Sequence, residues 1–259
     1  MYPLRYFPSG HIFIDPADNC DRVVNAMLAT DYSEEFCFAR DFDEDFVVRL
    51  MEAGFLVMSA ELKDEPPENS ETADGEIADG TSTASGNTEP PDESFFILLP
   101  KLHLLRSALF FPHLHIKKSI RRFLPLYELR MNTDFDHILD KCIATHGADW
   151  LTPPLVDLLK RLHRRSDIRA QPVSFALYRD GELKAGEIGV VMGRVYTSYS
   201  GYYEEANAGT VQIILAAQWL EKAGFDFLDF GMPLDYKTDL GAEDISPRRF
   251  VELFRAARC

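Results

Sequence analysis

FDFLDFGMPLDYKTDLGA, Phe225–Ala242, is the stretch from which the rest of the chain can be placed. Phe225 to Phe230 is an apolar run broken only by Asp226 and Asp229, the pattern of a short buried strand. Gly231 and Pro233 end it, since neither suits the interior of a central strand. Asp229 is therefore expected near the carboxyl end of an inner strand, where open α/β sheets hold their ligands. A carboxylate there has to be hydrogen-bonded, paired or at work. The plainer alternative is an aspartate that caps the following loop.

Immediately upstream, Asn207-Ala-Gly209 opens a helix over Thr210–Ala223. Before it, Val173–Tyr178, Leu183–Met192 and Arg194–Ser200 are strand-like runs separated by Asp180-Gly181 and Met192-Gly193, both tight-turn signals. Three strands of a meander, a helix and one more strand predict an α/β (α+β) fold, with an acetyltransferase-like (GNAT-type) C-terminal domain over residues 94–259. Residues 1–61 read as a small N-terminal α/β domain. In it Asp41 serves as N-cap, with Glu44 as its capping-box partner, ahead of the apolar face Phe42, Phe46, Val47, Leu50 and Met51. Residues 62–93 are a different polymer, rich in Pro, Gly, Ser, Thr, Asp and Glu. They read as a disordered acidic insertion, unable to bury enough surface to offset the entropy of ordering.

The chain has 259 residues, 46% hydrophobic and 12% aromatic, enough for a substantial core. It holds no apolar run of about 18 residues, so a membrane-spanning helix is not expected. Cys20, Cys37, Cys142 and Cys259 are far apart, without zinc-like spacing, and fit idle or buried thiols in a reducing compartment. The cytosol, a monomer and no metal are the default expectations. The net charge of −15 argues against polyanion partners until its distribution is considered. Ten acidic and no basic side chains fall in 64–93, and the rest of the chain carries only −5. Lys117, Lys118, Arg121 and Arg122 fall on one stripe of a helix whose other side is Ile116, Ile120 and Phe123. Lys160, Arg161, Arg164 and Arg165 form a second cluster. Such stripes either grip a phosphate backbone or are ordinary solvated faces.

No nucleophile-elbow sequence surrounds Ser198 or Ser200, and no phosphate loop or dinucleotide fingerprint is present. What remains is an acidic, aromatic set: Glu187, Tyr196, Tyr199, Tyr202, Tyr203 and Asp229. Alternation puts Tyr196 and Ser198 on one strand face, Val195 and Tyr199 on the other. Glu187 lies between Gly186 and Ile188-Gly189, small neighbours that point to close approach of another group. Trp150, just before the Thr152-Pro153 helix start, is a packing anchor or a wall for a flat ligand.

From about Phe95 to Phe250 the chain resembles the leucyl/phenylalanyl-tRNA–protein transferase family. The residues that carry the resemblance are HIKKSIRR (from His115), NTDFDHILDKCI (from Asn132), DWLTP (from Asp149), GELKAGEIGV (from Gly181), SYSGYY (from Ser198) and LDFGMPLDYKTDLGAEDISPRRF (from Leu228). The resemblance implies an enzyme that moves an amino acid from aminoacyl-tRNA to a protein N-terminus, marking the target for degradation, without a cofactor. It implies Asp229 at the catalytic centre. Glu187, Tyr196, Tyr199, Ser200, Gly231 and Trp150 would surround the aminoacyl end, and Lys117, Lys118, Arg121 and Arg122 would hold the acceptor stem. Three positions depart from the family pattern: Gly231 stands where it has a Gln, Tyr199 where it has a Glu, and Glu187 where it has a Met. The last points to a basic donor, arginyl before leucyl or phenylalanyl, in one cleft shared by Glu187 and Asp229. An inactive N-terminus- or tRNA-binding adaptor and an acyl-CoA N-acetyltransferase are the competing readings. The second is weakened by Glu204 and Glu205 where a pyrophosphate loop would be.

Overall fold

In the computed structural model, which describes residues 2–62 and 95–258, the chain opens with strands β1 (Arg5–Tyr6) and β2 (Ile12–Phe13). Helix α1 (Cys20–Ala29) follows, started by Asn19, whose side chain accepts from the Arg22 amide. After β3 (Cys37–Phe38), helix α2 (Glu44–Glu52) is capped by Asp43, which accepts from the Phe46 amide at 2.8 Å. Asp41, the expected cap, instead receives the Asp43 amide at 2.9 Å, one turn-residue pair too early to start the helix. Strands β4 (Leu56–Leu62) and β5 (Phe95–Lys101) pair antiparallel over their whole length. So β5 joins the N-terminal elements, not the large sheet. The disorder expected for 62–93 falls outside the described residues from 63 onward.

The remainder is β6 (Arg106–Leu109), α3 (Lys118–Arg121), β7 (Glu128–Met131), α4 (Phe135–His146) and α5 (Pro153–Arg164). Next come the meander strands β8 (Ala170–Arg179), β9 (Glu182–Met192) and β10 (Val195–Tyr203). The chain closes with α6 (Ala208–Lys222), β11 (Phe227–Gly231), α7 (Asp235–Asp239), β12 (Glu243–Ile245) and α8 (Pro247–Ala257). Asp180 and Gly181 both take left-handed φ, 53° and 82°, as a two-residue hairpin turn between β8 and β9 requires. The sheet order is β12-β6-β11-β10-β9-β8-β7. Within this seven-stranded sheet only β10 and β11 pair in parallel, because α6 carries the chain back between them. Their ladder runs from Val195↔Phe227 to Thr197↔Asp229 and stops there, while β10 continues to Tyr203 against β9. The two parallel strands therefore part at Asp229. Strands β6, β7 and β12 add to the expected meander; each is too short for alternation to declare it.

One sheet face packs against α2, α4, α5 and α8 through residues such as Leu50, Leu139, Leu158 and Phe254. The other carries α6 through Val211, Ile214, Ala217 and Leu220. The close approach read from the glycines beside Glu187 is internal packing. A Cβ on Gly186 would lie 2.7 Å from the Ile138 side chain, and one on Gly189 2.3 Å from the Thr197 carbonyl oxygen. Gly186→Ala is expected to cost about 1–3 kcal/mol in urea unfolding. Ile138→Val should recover part of that loss, a coupling that a double-mutant cycle measures.

Candidate functional site

Asp229 sits on the α2/α8 side of the sheet, fully buried, and its carboxylate is saturated. Oδ1 accepts from Arg106 Nε at 2.8 Å and from the Gly231 amide at 3.0 Å. Oδ2 accepts from Arg106 Nη2 at 2.6 Å and from Thr197 Oγ1 at 2.9 Å. Burial alone would raise its pKa. The Arg106 charge and these hydrogen bonds outweigh that and hold the carboxyl below the usual range. Arg106 also donates to the Gly54 carbonyl at 3.0 Å and lies 3.7 Å over the Phe250 ring. Sequence reasoning missed Arg106. Its signal was a single charge inside the apolar run from Leu104 to Phe111.

Glu187 lies on the opposite face, toward α6, only 4% exposed. It accepts from Gln212 at 2.8 Å and from the Tyr196 hydroxyl at 3.2 Å, with Ser198 as a further hydrogen-bond partner. Burial pushes its pKa up against those donors. The expected single cleft shared by Glu187 and Asp229 is therefore not what the register makes. Gly201 pairs with Glu187 and Thr197 with Asp229, and the two carboxylates point through opposite sides of the sheet. Tyr196, fully buried, goes with Glu187, as alternation required. Tyr199 is on the other side, where its hydroxyl accepts the Val57 amide at 3.3 Å. Ser200 follows the irregularity in β10 and hydrogen-bonds Cys142.

Two residues past Asp229 is the end of β11. Gly231 has φ +69° there. Lys237 of α7, 5% exposed, donates to the carbonyls of Phe230 and Met232, both at 2.7 Å. Burial lowers its pKa to about 8 against the pull of Asp229 and Glu187. His103, on the turn before β6, places Nε2 where a Cβ on Gly231 would be 3.2 Å away, and that nitrogen has no hydrogen-bond partner among the described residues. Burial, then the Arg106 and Lys101 charges, bring the imidazole down to about 3, so it is neutral.

The first basic stripe is one short helical turn. Lys117 precedes it and pairs with Asp239 at 2.6 Å. Lys118, Arg121 and Arg122 are exposed. The second cluster is engaged internally: Lys160 with Asp140, Arg161 with Glu44, Arg164 with Asp136, and Arg165 with Glu44, Asp45 and Asp167. Trp150 is half-buried against the core, and its carbonyl accepts the Ser59 hydroxyl at 3.1 Å. Cys20, Cys37 and Cys142 are free and buried. Among the described residues no three His, Cys, Asp or Glu side chains gather as a metal site, and no helix is long and apolar enough to cross a membrane.

A family model described as leucyl/phenylalanyl-tRNA protein transferase matches residues 108–255. A relative of that name from Pseudomonas putida is 32% identical over 152 residues, 57% of this chain and 66% of the relative. Another, from Maridesulfovibrio salexigens, is 27% identical over 158 residues, 59% of this chain and 65% of the relative. The matched region thus spans just under two thirds of those relatives. Among solved structures, FemX aligns with TM-score 0.42 and 10% identity over 96% of this chain and 85% of that one. A GCN5-related N-acetyltransferase from Anabaena variabilis aligns with TM-score 0.39 and 9% identity over 91% and 53%.

Removing one partner of a buried ion pair leaves the other charge unpaired, so Asp229→Asn is expected to cost about 3–5 kcal/mol in denaturant unfolding. In the wild type the Asp229 contribution is present above the unfolded carboxyl pKa of about 3.9 and is lost as pH falls through its lower folded value. Glu187 has the opposite sign. Its raised pKa makes stability fall as pH rises above about 4.3, the ordinary Glu value. Melting curves of Glu187→Gln against pH should show a shallower decline above pH 4.3.

Proposed function

We propose aminoacyl transfer as the activity of this chain, which belongs to the leucyl/phenylalanyl-tRNA–protein transferase family. An amino acid esterified to tRNA would pass to the free N-terminal amine of a protein, and the modified protein would be marked for degradation. The observation that carries this reading is where the family match falls. Residues 108–255 hold the whole seven-stranded sheet except Arg106 and Ser107 at the start of β6, and so hold the parting of β10 from β11. Two parallel strands joined by a crossover helix stop pairing at Thr197 and Asp229, and a substrate end would enter where they part. Ligands of open α/β sheets bind at the carboxyl ends of such strands.

Amine attack on an activated ester needs no external energy source. Catalysis reduces to holding two substrates in register and moving one proton. Asp229 is a positioning residue in this scheme. Its filled acceptor sites fix Arg106, Thr197 and the Gly231 amide, and so fix the shape of the opening. Tyr199, Ser200, Gly231 and Trp150 would line the approach of the aminoacyl-adenosine end. Lys118, Arg121 and Arg122, with Lys117, would meet the acceptor-stem phosphates.

The donor side chain would face Glu187, on the α6 side. A basic donor, arginyl before leucyl or phenylalanyl, is favoured because the groups hydrogen-bonding this buried carboxylate are all neutral, and a guanidinium would supply the counter-charge. Incubation with a panel of radiolabelled charged tRNAs and a peptide acceptor tests both levels. Label should reach the peptide amine, from Arg-tRNA most efficiently. Transfer of leucine or phenylalanine alone would remove the basic donor and leave the transferase reading standing, while no transfer from any tRNA would remove both. Glu187→Met should shift the preference toward apolar donors.

A further inference from the structure

Aminoacyl transfer needs a group that takes a proton from the attacking amine and returns one to the leaving ribose oxygen. The polar groups around the end of β11 can be compared for that task. Asp229 has four donors on its two oxygens and none to spare. Glu187 lies on the far face with Gln212, Tyr196 and Ser198, where the reading above gives it the donor side chain and not the reacting ester. His103 has an open nitrogen, but burial and its cationic neighbours leave it too weak a base. Lys237 differs from all three. Its two hydrogen bonds, to Phe230 and Met232, use two of the three hydrogen positions on Nζ. Those carbonyls flank Gly231, just past the last β10–β11 pair at Thr197 and Asp229, so the nitrogen is fixed at the parting of the strands.

Resting on the aminoacyl-transfer reading, we infer that Lys237 is the proton-transfer group of the reaction, acting through the third tetrahedral position of Nζ, which has no hydrogen-bond partner among the described residues. In either protonation state the two carbonyls retain two N–H groups. Gain and loss of the proton therefore fall on the third position, a lone pair in the amine and an N–H in the ammonium. Every packed element contributes to its surroundings. Asp229 of β11, Glu187 of β9 and Asp244 of β12 favour the charged form, burial opposes it more strongly, and the result is about 8. His103 beside it is neutral, and the Phe230 and Tyr236 rings lie 5.7 Å from Nζ. A lysine so placed holds both forms in useful amounts near neutral pH, which an exposed lysine does not.

The step balances without any further reactant. The acceptor nitrogen forms a bond to the ester carbon, and the carbonyl electron pair moves to oxygen. Neutral Lys237 takes the proton released by the amine. The intermediate collapses, the bond to the ribose oxygen breaks, and that oxygen leaves with its electron pair and receives the proton from the Lys237 ammonium. Ester and amine have become amide and hydroxyl, and Lys237 is again neutral.

A merely structural lysine would act only as a staple across the turn. Lys237→Arg separates the two roles: a guanidinium can donate to both carbonyls but stays charged at every accessible pH. The expected result is a melting temperature near that of the wild type, unchanged binding of charged tRNA, and kcat lower by on the order of 10²–10⁴. Transfer by Lys237→Arg at the wild-type rate overturns the assignment. If that variant fails to fold, the wild-type kcat–pH profile decides. It should rise through about 8, since the base acts when neutral. That limb should move with temperature, because an ammonium ionises with a large enthalpy and a carboxylate with almost none, and it should stay in place when the acceptor amine, which itself ionises near about 7.7–8.0, is exchanged for one of different pKa; a limb that follows the acceptor amine overturns the assignment. A flat profile, or a limb insensitive to temperature, overturns the assignment. Wild-type protein that transfers from no charged tRNA sinks the underlying reading and this one with it, whereas an active Lys237→Arg sinks this one alone.

Discussion

The buried ion pair between Arg106 and Asp229 is the interaction on which the rest of the architecture turns. Both side chains are essentially out of water, at 1% and 0% exposure, so neither charge is tolerable without the other. Two parallel hydrogen bonds fix the guanidinium plane, and the remaining contacts spread its effect. One nitrogen reaches the Gly54 carbonyl after α2, the plane lies on Phe250 of α8, and the carboxylate reaches Thr197 of β10 and the amide of Gly231. A single pair thus joins the N-terminal elements, three sheet strands and the C-terminal helix. A pair of this kind adds little net stability over an apolar core, and its value lies in geometry. It allows one arrangement of β6, β11 and the C-terminal end of α2, and so one shape for the place where β10 and β11 separate.

Much of this was legible in the sequence because it depends on local rules. The Asp180–Gly181 and Met192–Gly193 turns, the β-β-β-α-β order, the Thr152–Pro153 helix start and the ending of β11 at Gly231 follow from turn chemistry and periodicity. The residues that matter most at the site do so through non-local contacts, which no window of sequence contains. Arg106 stands 123 positions from Asp229, and Gln212 stands 25 from Glu187. Lys237 is a single charge in the stretch Leu234–Asp239, and nothing local marks it as buried. Its burial comes from the way α7 folds back on the end of β11. Asp41 and Asp43 show the limit at the smallest scale: both fit a capping pattern, and only backbone geometry decides which one caps.

Face assignment was the costliest error, and its cause is instructive. Asp229 of β11 and Glu187 of β9 are both buried acids on strands that flank β10, so a linear reading brings them into one cleft. The ladder decides otherwise, because a one-residue difference in register sends a side chain through the other side of the sheet. Gly186 and Gly189 misled in the same direction. Small residues beside an acid suggest room for a ligand, yet here they admit Ile138 and the Tyr196 ring of the chain's own core.

Charge raises a last point about which surface could meet a nucleic acid. Of the two basic clusters, the one on α5 is engaged with Asp136, Asp140, Glu44, Asp45 and Asp167, joining α5 to α4 and α2. Partly exposed pairs of this kind each contribute little to stability, but they leave those cations largely neutralised as seen from solution. Lys118, Arg121 and Arg122 are left as exposed positive charge on a chain whose overall balance is −15. A tRNA held by so few phosphate contacts gains modest, strongly salt-dependent affinity from them. Most discrimination on this reading must then come from the aminoacyl end, where desolvated groups around β11 act over short distances.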